Sequence, residues 1–294
     1  MADGDNELLR VENWPELHRP VLIVALEGWI DAGLGAGGAL ATLLQGVEAE
    51  TFATFDSDEL IDQRARRPLL RIVDGVNVSL TWPETTLRVG ESGGRSVVVL
   101  SGPEPDMRWK RFTREVIVAA QRMGIELVVG LGAFPAPVPH TRPVRLVATA
   151  TTAELAKSVG YLPASIEVPA GISASLERAF ADVGLPAVGI WARVPHYAAG
   201  MPYPSASEAL LAKLSEITGI TVDTGGLHAA ALTTLSQLDQ LIAGSVEHTA
   251  MVRQLEMQDD DETHTQTSFD LSDLPSGDEI AAELERFLRG DEQV

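Results

Sequence analysis

The chain contains no cysteine, which excludes disulfide frameworks, thiolate metal sites, cysteine nucleophiles and thiol redox chemistry together. Lysine is nearly as scarce: of the 22 basic residues, three are Lys and 19 are Arg. Against 42 acidic residues these leave a net charge of -20, and no basic cluster interrupts it, so nucleic acid and anionic membrane surfaces are not expected as partners. Aromatic residues make up only 5% of the chain, so the core must be built from Val, Leu, Ile and Ala. No apolar run approaches the roughly 20 residues of a membrane-spanning helix; the longest are short segments such as Val21 to Leu26. The opening segment, Met1 to Glu7, is acidic and lacks the basic and apolar regions of a secretory signal, so a cytoplasmic location is expected.

What is present is a chain of 294 residues, 45% hydrophobic and 22% charged, large enough for one sizeable domain plus an appendage. The charge is uneven. From Glu247 to Val294 there are fourteen acidic and three basic residues, so more than half of the net charge lies in the last sixth of the chain. The expected division is an α/β core over residues 1–225 and a helical extension over 226–294, with an acidic linker over 258–273 that shows no hydrophobic period.

Within the core, near-continuous apolar runs at Pro20 to Leu26, Ser96 to Leu100, Ile125 to Leu131 and Val188 to Val194 are the pattern of strands buried on both faces. Helices are expected between them: Gly37 to Leu44, the face Trp109, Phe112, Val116, Ala119 and Met123, a short helix from a Thr151/Glu154 capping box, the face Leu176, Phe180 and Val183, and a helix from Ser205/Glu208. Thr51 to Asp56 reads as a further strand, and Val144 to Ala148 as another. Leu69 to Val73 and Val76 to Trp82 alternate around Asp74-Gly75 as a hairpin. This order predicts a mostly parallel sheet with helices on both faces. Beyond it, Leu235, Leu238, Ile242, Val246, Val252 and Leu255 form a helical stripe interrupted near Gly244, and Ile280, Leu284, Phe287 and Leu288 mark a last amphipathic helix over 276–288.

Several motifs invite chemistry. Gly33-Leu-Gly35-Ala-Gly-Gly38 is formally a dinucleotide fingerprint with Asp56 as a ribose acid. Gly33, however, lies well past the strand end, and Asp31 would place charge near the phosphates, so close helix packing is the better use of these glycines and no cofactor is expected. Glu27, Asp31, Asp56, Asp58, Glu104 and Asp106 fall at the carboxyl ends of strands, where open α/β sheets bind ligands. His140 and Arg142 lie in the long proline-rich segment Gly132 to Pro143, which would add a base and an anion clamp. The plainer alternative is helix capping and loop anchoring. Val138-Pro-His140 and Val194-Pro-His196 echo one another, but no metal-ligand spacing accompanies them, so no metal site is expected.

Taken in order, Glu27-Gly28-Trp29-Ile-Asp31-Ala-Gly33, Phe55-Asp56, Asp62 to Pro68, Gly102-Pro-Glu104-Pro105 with Trp109, Pro139-His140-Thr-Arg142-Pro143 and Pro195-His196-Tyr197 resemble the proteasome assembly chaperone family, chaperone-two-like, in its actinobacterial form, from about Pro20 to Leu288. The resemblance implies an α/β core similar to phosphorylases and hydrolases, self-association as a trimer, relatives that bind proteasome subunits, and no known reaction. Relatives that dock on the proteasome through a hydrophobic-Tyr-any tail differ from this chain, which ends Asp291-Glu-Gln-Val294, so that mode is not expected. The leading expectation is a non-catalytic oligomeric assembly or scaffold protein. The rival is a small-molecule enzyme of phosphorylase or hydrolase type that uses Asp31, Glu104, His140 and Arg142.

Overall fold

The computed structural model describes residues 8–28, 30–161 and 165–264. Trp29, the linker residues 265–273 and the expected helix over 276–288 lie outside the described residues. In chain order the elements are β1 (Leu9–Val11), β2 (Val21–Glu27), α1 (Gly35–Gly46), β3 (Glu50–Phe55), α2 (Ser57–Leu60), β4 (Leu69–Val73), β5 (Val76–Thr81), β6 (Thr86–Ser92), β7 (Arg95–Pro103) and α3 (Trp109–Arg122). They continue with β8 (Leu127–Ala136), β9 (Leu146–Ala150), α4 (Ala153–Val159), α5 (Ile172–Asp182), β10 (Ala187–Pro195), α6 (Pro204–Thr218), α7 (Gly225–Ala243) and α8 (Val246–His264). Short 3-10 turns occupy Ala32–Leu34 and His196–Ala198.

The apolar runs form strands buried on both faces because successive side chains point to opposite sides. In β2, Val21, Ile23 and Ala25 enter one core with α1, α6 and α7, while Leu22 and Val24 enter the other with α3 and α5. β7 divides in the same way, with Val97 and Val99 on the first side and Val98 and Leu100 on the second. α3 follows as read, with Phe112, Val116 and Ala119 buried; Gly124 closes it at φ +64°, a conformation that glycine adopts without strain.

The sheet is mixed, which corrects the mostly parallel expectation. Its order is β1-β3-β6-β7-β2-β8-β10-β9, and only the central β7-β2-β8-β10 block is parallel. On one side β6 pairs antiparallel with β7 across a two-residue turn at Gly93-Gly94, in register Ser92 with Arg95; both glycines have positive φ, the chemistry such a hairpin requires. On the other side β9 runs antiparallel to β10, because the connection from Ala136 to Leu146 is too short to hold the crossover helix that parallel neighbours need.

Smaller corrections concern ends and caps. The proline-rich segment begins as strand, since β8 continues to Ala136. Thr152, not Thr151, caps α4, accepting from the Leu155 amide, while the Thr151 hydroxyl bonds the backbone of Ala187. α6 starts at Pro204 with no side-chain cap; proline's fixed φ presets the first helical turn, and its missing amide is one that the helix would leave unbonded anyway. The Glu208 carboxylate meets His228 instead. Residues 258–264, read as the start of the linker, are helical within α8. The interruption near Gly244 separates α7 from α8, and their stripe buries Leu238, Val252 and Leu255. Among the described residues, no helix is long and apolar enough to cross a membrane.

The β4–β5 hairpin forms a separate two-stranded sheet. All of its residues are exposed, the apolar ones from Val73 at 41% to Leu69 at 76%.

Candidate functional site

The carboxyl ends of the four parallel strands bring the motif loops to one edge: Gly28 after β2, Glu104 after β7, His140 in the segment after β8 and His196 after β10. Gathering them is what the topology does. What each side chain does there is fixed by its partners.

Asp31 accepts from the amides of Ala36 at 2.8 Å and Gly37 at 2.9 Å, satisfying donors at the first turn of α1. Burial raises its pKa above the ordinary carboxylate value, and the Ala36, Gly37 and Gly35 amides partly offset that rise. It therefore occupies the amides where a pyrophosphate would have to sit. The glycines serve packing. A Cβ on Gly35 would lie 2.8 Å from the Ala133 Cβ and 3.1 Å from that of Ala206, and Gly33, at φ +61°, lies against Tyr203.

Asp56 caps α2 through the Asp58 amide at 3.0 Å and pairs with Arg10 at 2.5 Å. Asp106 accepts from the Asp62 amide at 2.8 Å and pairs with Arg66 at 3.0 Å. Arg66 also donates to the Glu104 carbonyl, and the Trp109 indole donates to the Pro105 carbonyl. The buried Glu104 carboxylate accepts from the Ile172 amide at 2.7 Å, the first residue of α5. Gly28 leaves room for it, because a Cβ there would stand 3.2 Å from its Oε2. Glu27 and Asp58 are exposed.

His140 is 4% exposed. Its backbone amide donates to the Tyr197 hydroxyl at 2.8 Å, its Nδ1 lies 2.8 Å from the same hydroxyl, and its Nε2 lies 3.1 Å from Asp239 Oδ1 on α7. Burial raises the Tyr197 phenol above its ordinary range, so it stays protonated and its one proton goes to Nδ1. The network thereby assigns the Nε2–H tautomer, which donates to Asp239. His196 meets the same Tyr197 ring edge-on at 5.3 Å, and His140 meets it at 5.8 Å. The echoed histidines thus share an aromatic anchor, and no group of three or more His, Asp or Glu able to hold a metal ion is found among the described residues. Arg142 pairs with Asp260 of α8 at 3.0 Å.

The candidate catalytic four are therefore brought to one edge but not to one another's side chains: Asp31 serves α1, Glu104 serves α5, His140 serves Tyr197 and α7, and Arg142 serves α8. Two of them are held by α7 and α8.

Sequence reasoning passed over Glu177. It lies on α5 beside a cleft of about 200 Å³ between α5 and β9, where the Thr149 hydroxyl donates to it at 2.8 Å. Gly189 makes the space, since a Cβ there would lie 2.8 Å from Thr149 Oγ1 and 3.0 Å from Glu177 Oε2. A glycine inside an apolar strand was the available signal. Burial raises the Glu177 pKa above its ordinary value of 4.5. A raised folded-state acid pKa means that the folded state holds its proton longer, so this contribution to stability is full below the unfolded pKa and is lost as pH rises through the folded one. Urea unfolding between about pH 4 and about pH 7.5 will show wild type losing stability relative to Glu177→Gln as pH rises; a constant gap between the two would mean that Glu177 titrates normally.

Comparison with known proteins places these features. The PAC2 family model matches residues 25–242. Among solved structures, a protein of unknown function from Corynebacterium glutamicum is 31% identical, with a TM-score of 0.82 over 87% of this chain and 98% of its own. The proteasome-assembly chaperone homologue of Mycobacterium tuberculosis is 35% identical, with a TM-score of 0.73 over 79% of this chain and 99% of its own. A PAC2 family protein from Streptomyces avermitilis is 37% identical, with a TM-score of 0.72 over the same shares, 79% and 99%. No curated protein matches the chain. With a family model spanning most of its length and relatives above 30% identity covered almost end to end, the chain belongs to the PAC2 family.

Proposed function

We propose that this PAC2 family member is a homo-oligomeric, non-catalytic assembly factor that works as the proteasome-assembly chaperone homologue it resembles is named to work, with proteasome subunits as its partners and a trimer as its working form. The observation that carries the reading is the β4–β5 hairpin. Seven apolar side chains of the hairpin, with Trp82 beyond it, stand exposed. At on the order of 100 Å² each they present about 800 Å², the area one partner gives to a stable interface. A second copy of the chain is the occupant that every molecule in solution meets, and a symmetric assembly closes such patches on one another.

The occupied carboxylates and His140 support a non-catalytic role, because a general base or nucleophile must be in reach of substrate rather than committed to capping and anchoring. The rival enzyme built on Asp31, Glu104, His140 and Arg142 would have to break those contacts first. We place the start of the appended part of the chain at α8 instead of residue 226, since the family segment runs to residue 242.

Native mass spectrometry of protein purified gently from its own cells tests the reading. A homo-oligomer carrying proteasome subunits is the expected result. A monomer, or an oligomer holding a stoichiometric small molecule and no protein partner, would overturn it in favour of a ligand-binding or enzymatic role at the strand-end edge.

A further inference from the structure

β9 is the last strand on its side of the sheet. One face of it, through Ala148, joins the core with Leu155 and Val159 of α4. Thr149 and Thr151 take the other face, since alternate residues of a strand share a side. There α5 packs on β10 and stops short of the edge strand, leaving the cleft of about 200 Å³ beside Glu177. Ala174, Glu177, Arg178 and Ala181 form its helix wall, on one face of α5 by their spacing and apart from the buried Ile172, Leu176 and Phe180. The small alanine side chains leave room for several water-sized groups.

The polar chemistry of the cleft is one-sided. A Cβ on Gly189 would lie 2.8 Å from Thr149 Oγ1, 3.0 Å from Glu177 Oε2 and 3.1 Å from Trp191 Nε1, so three polar groups crowd one spot on the sheet. The Thr149 hydroxyl gives its proton to Glu177, which leaves both side chains facing the cleft as acceptors. No Lys, Arg or His pairs with Glu177 among the described residues. Arg178, the next residue, pairs with Asp182 on the exposed side of the helix. Burial raises the Glu177 pKa, and hydrogen bonds from Thr149 and the Gly189 backbone offset only part of that rise. The ionised carboxylate therefore lacks a counter-charge.

We propose that this cleft binds small primary amines, with the ammonium group on the Glu177 carboxylate and the Thr149 oxygen and the carbon chain against Ala150, Ala174 and Ala181. An ammonium group donates and does not accept, which matches two acceptors whose nearest cation is already paired. It also supplies the charge that the buried carboxylate lacks, and a charge-assisted bond of this kind is stronger than one between neutral groups. The cleft lies at the amino-terminal half of β10, where Gly189 is the third residue, whereas the motif loops gather at the carboxyl ends of the strands. The inference is therefore independent of the hairpin and of the assembly reading.

Trp191 supplies the reporter. In nitrogen-15 TROSY spectra of the full-length chain, Trp191→Phe identifies its indole signal among those of the five tryptophans. Adding n-butylammonium chloride at about pH 7.5 in about 150 mM NaCl will move that signal saturably, with a dissociation constant below about 10 mM. Glu177→Gln, which keeps the shape and removes the charge, will weaken binding at least about tenfold. Ala174→Leu, at an exposed position, narrows the cleft without touching the carboxylate and will weaken binding as well. Tetramethylammonium chloride, a cation with no N–H, will give no saturable shift over the same range. The proposal is overturned by a shift that does not saturate, or by either variant binding as tightly as wild type with its circular dichroism unchanged. Equal binding of tetramethylammonium also overturns it, and would assign the effect to general attraction of cations to a chain of net charge -20.

Discussion

Leu70→Lys combined with Leu80→Glu is expected to convert the proposed oligomer to monomers of about 31.4 kDa without unfolding them. The two residues are direct cross-strand partners in the β4–β5 hairpin, so opposite charges at these positions keep the hairpin's own pairing favourable. The apolar face they share is lost. Burying both charges in an interface costs several kcal/mol, and about 4 kcal/mol is a thousandfold rise in dissociation constant. In the separated chain both positions are exposed, where substitutions stay within about 0.5 kcal/mol, so the thermal midpoint of the monomer will barely move. Sedimentation velocity beside circular dichroism separates the cases. A double variant that keeps the wild-type mass removes the hairpin from the interface, and a wild type that is already monomeric removes the interface itself.

The parallel centre of the sheet was legible because its strands are buried on both faces, and that forces uninterrupted apolar runs such as Val21 to Leu26 and Val188 to Val194. Its antiparallel flanks were not. β6 has only its first residues buried, so Thr86–Ser92 carries too few apolar positions to read as a strand, although Gly93-Gly94 was a hairpin signal in plain view. The hairpin's alternation was readable, but an alternating pattern implies one buried face, and the structure buries neither.

The site divides in the same way. That the motif loops fall at the carboxyl ends of strands follows from the alternation of strand, loop and helix, which local patterns predict. Which partner each side chain takes depends on contacts such as Glu104 with Ile172, 68 residues away, or Arg142 with Asp260, 118 residues away. No local rule reaches so far. The sequence suggests that Asp106 caps the helix after it, but α3 has no side-chain cap and Asp106 accepts from the distant Asp62 amide instead; the carboxylates that do serve a nearby helix are Asp56 at α2 and Asp31 at α1.

His140→Ala is expected to cost about 3 kcal/mol and Asp239→Ala no more than about 1 kcal/mol, measured by urea unfolding. Removing the imidazole leaves the part-buried Tyr197 hydroxyl without an acceptor and opens a cavity where His140 was 4% exposed, and both losses add to the cost. Asp239, with a side chain 67% exposed, regains water when its partner goes. This asymmetry separates two readings of a Tyr197–His140–Asp239 chain that looks like a catalytic relay. In a relay the orienting carboxylate is worth about 10⁴ in rate because it sets the tautomer of the base. Here Tyr197, which accepts the His140 amide and lies 2.8 Å from Nδ1, holds the ring from the other side, so the exposed Asp239 has less left to specify. The chain then acts as a pin joining the β8 loop, the turn after β10 and α7. Comparable losses for the two variants would mean that Asp239 holds the imidazole as a relay would, and would return His140 to the list of candidate bases.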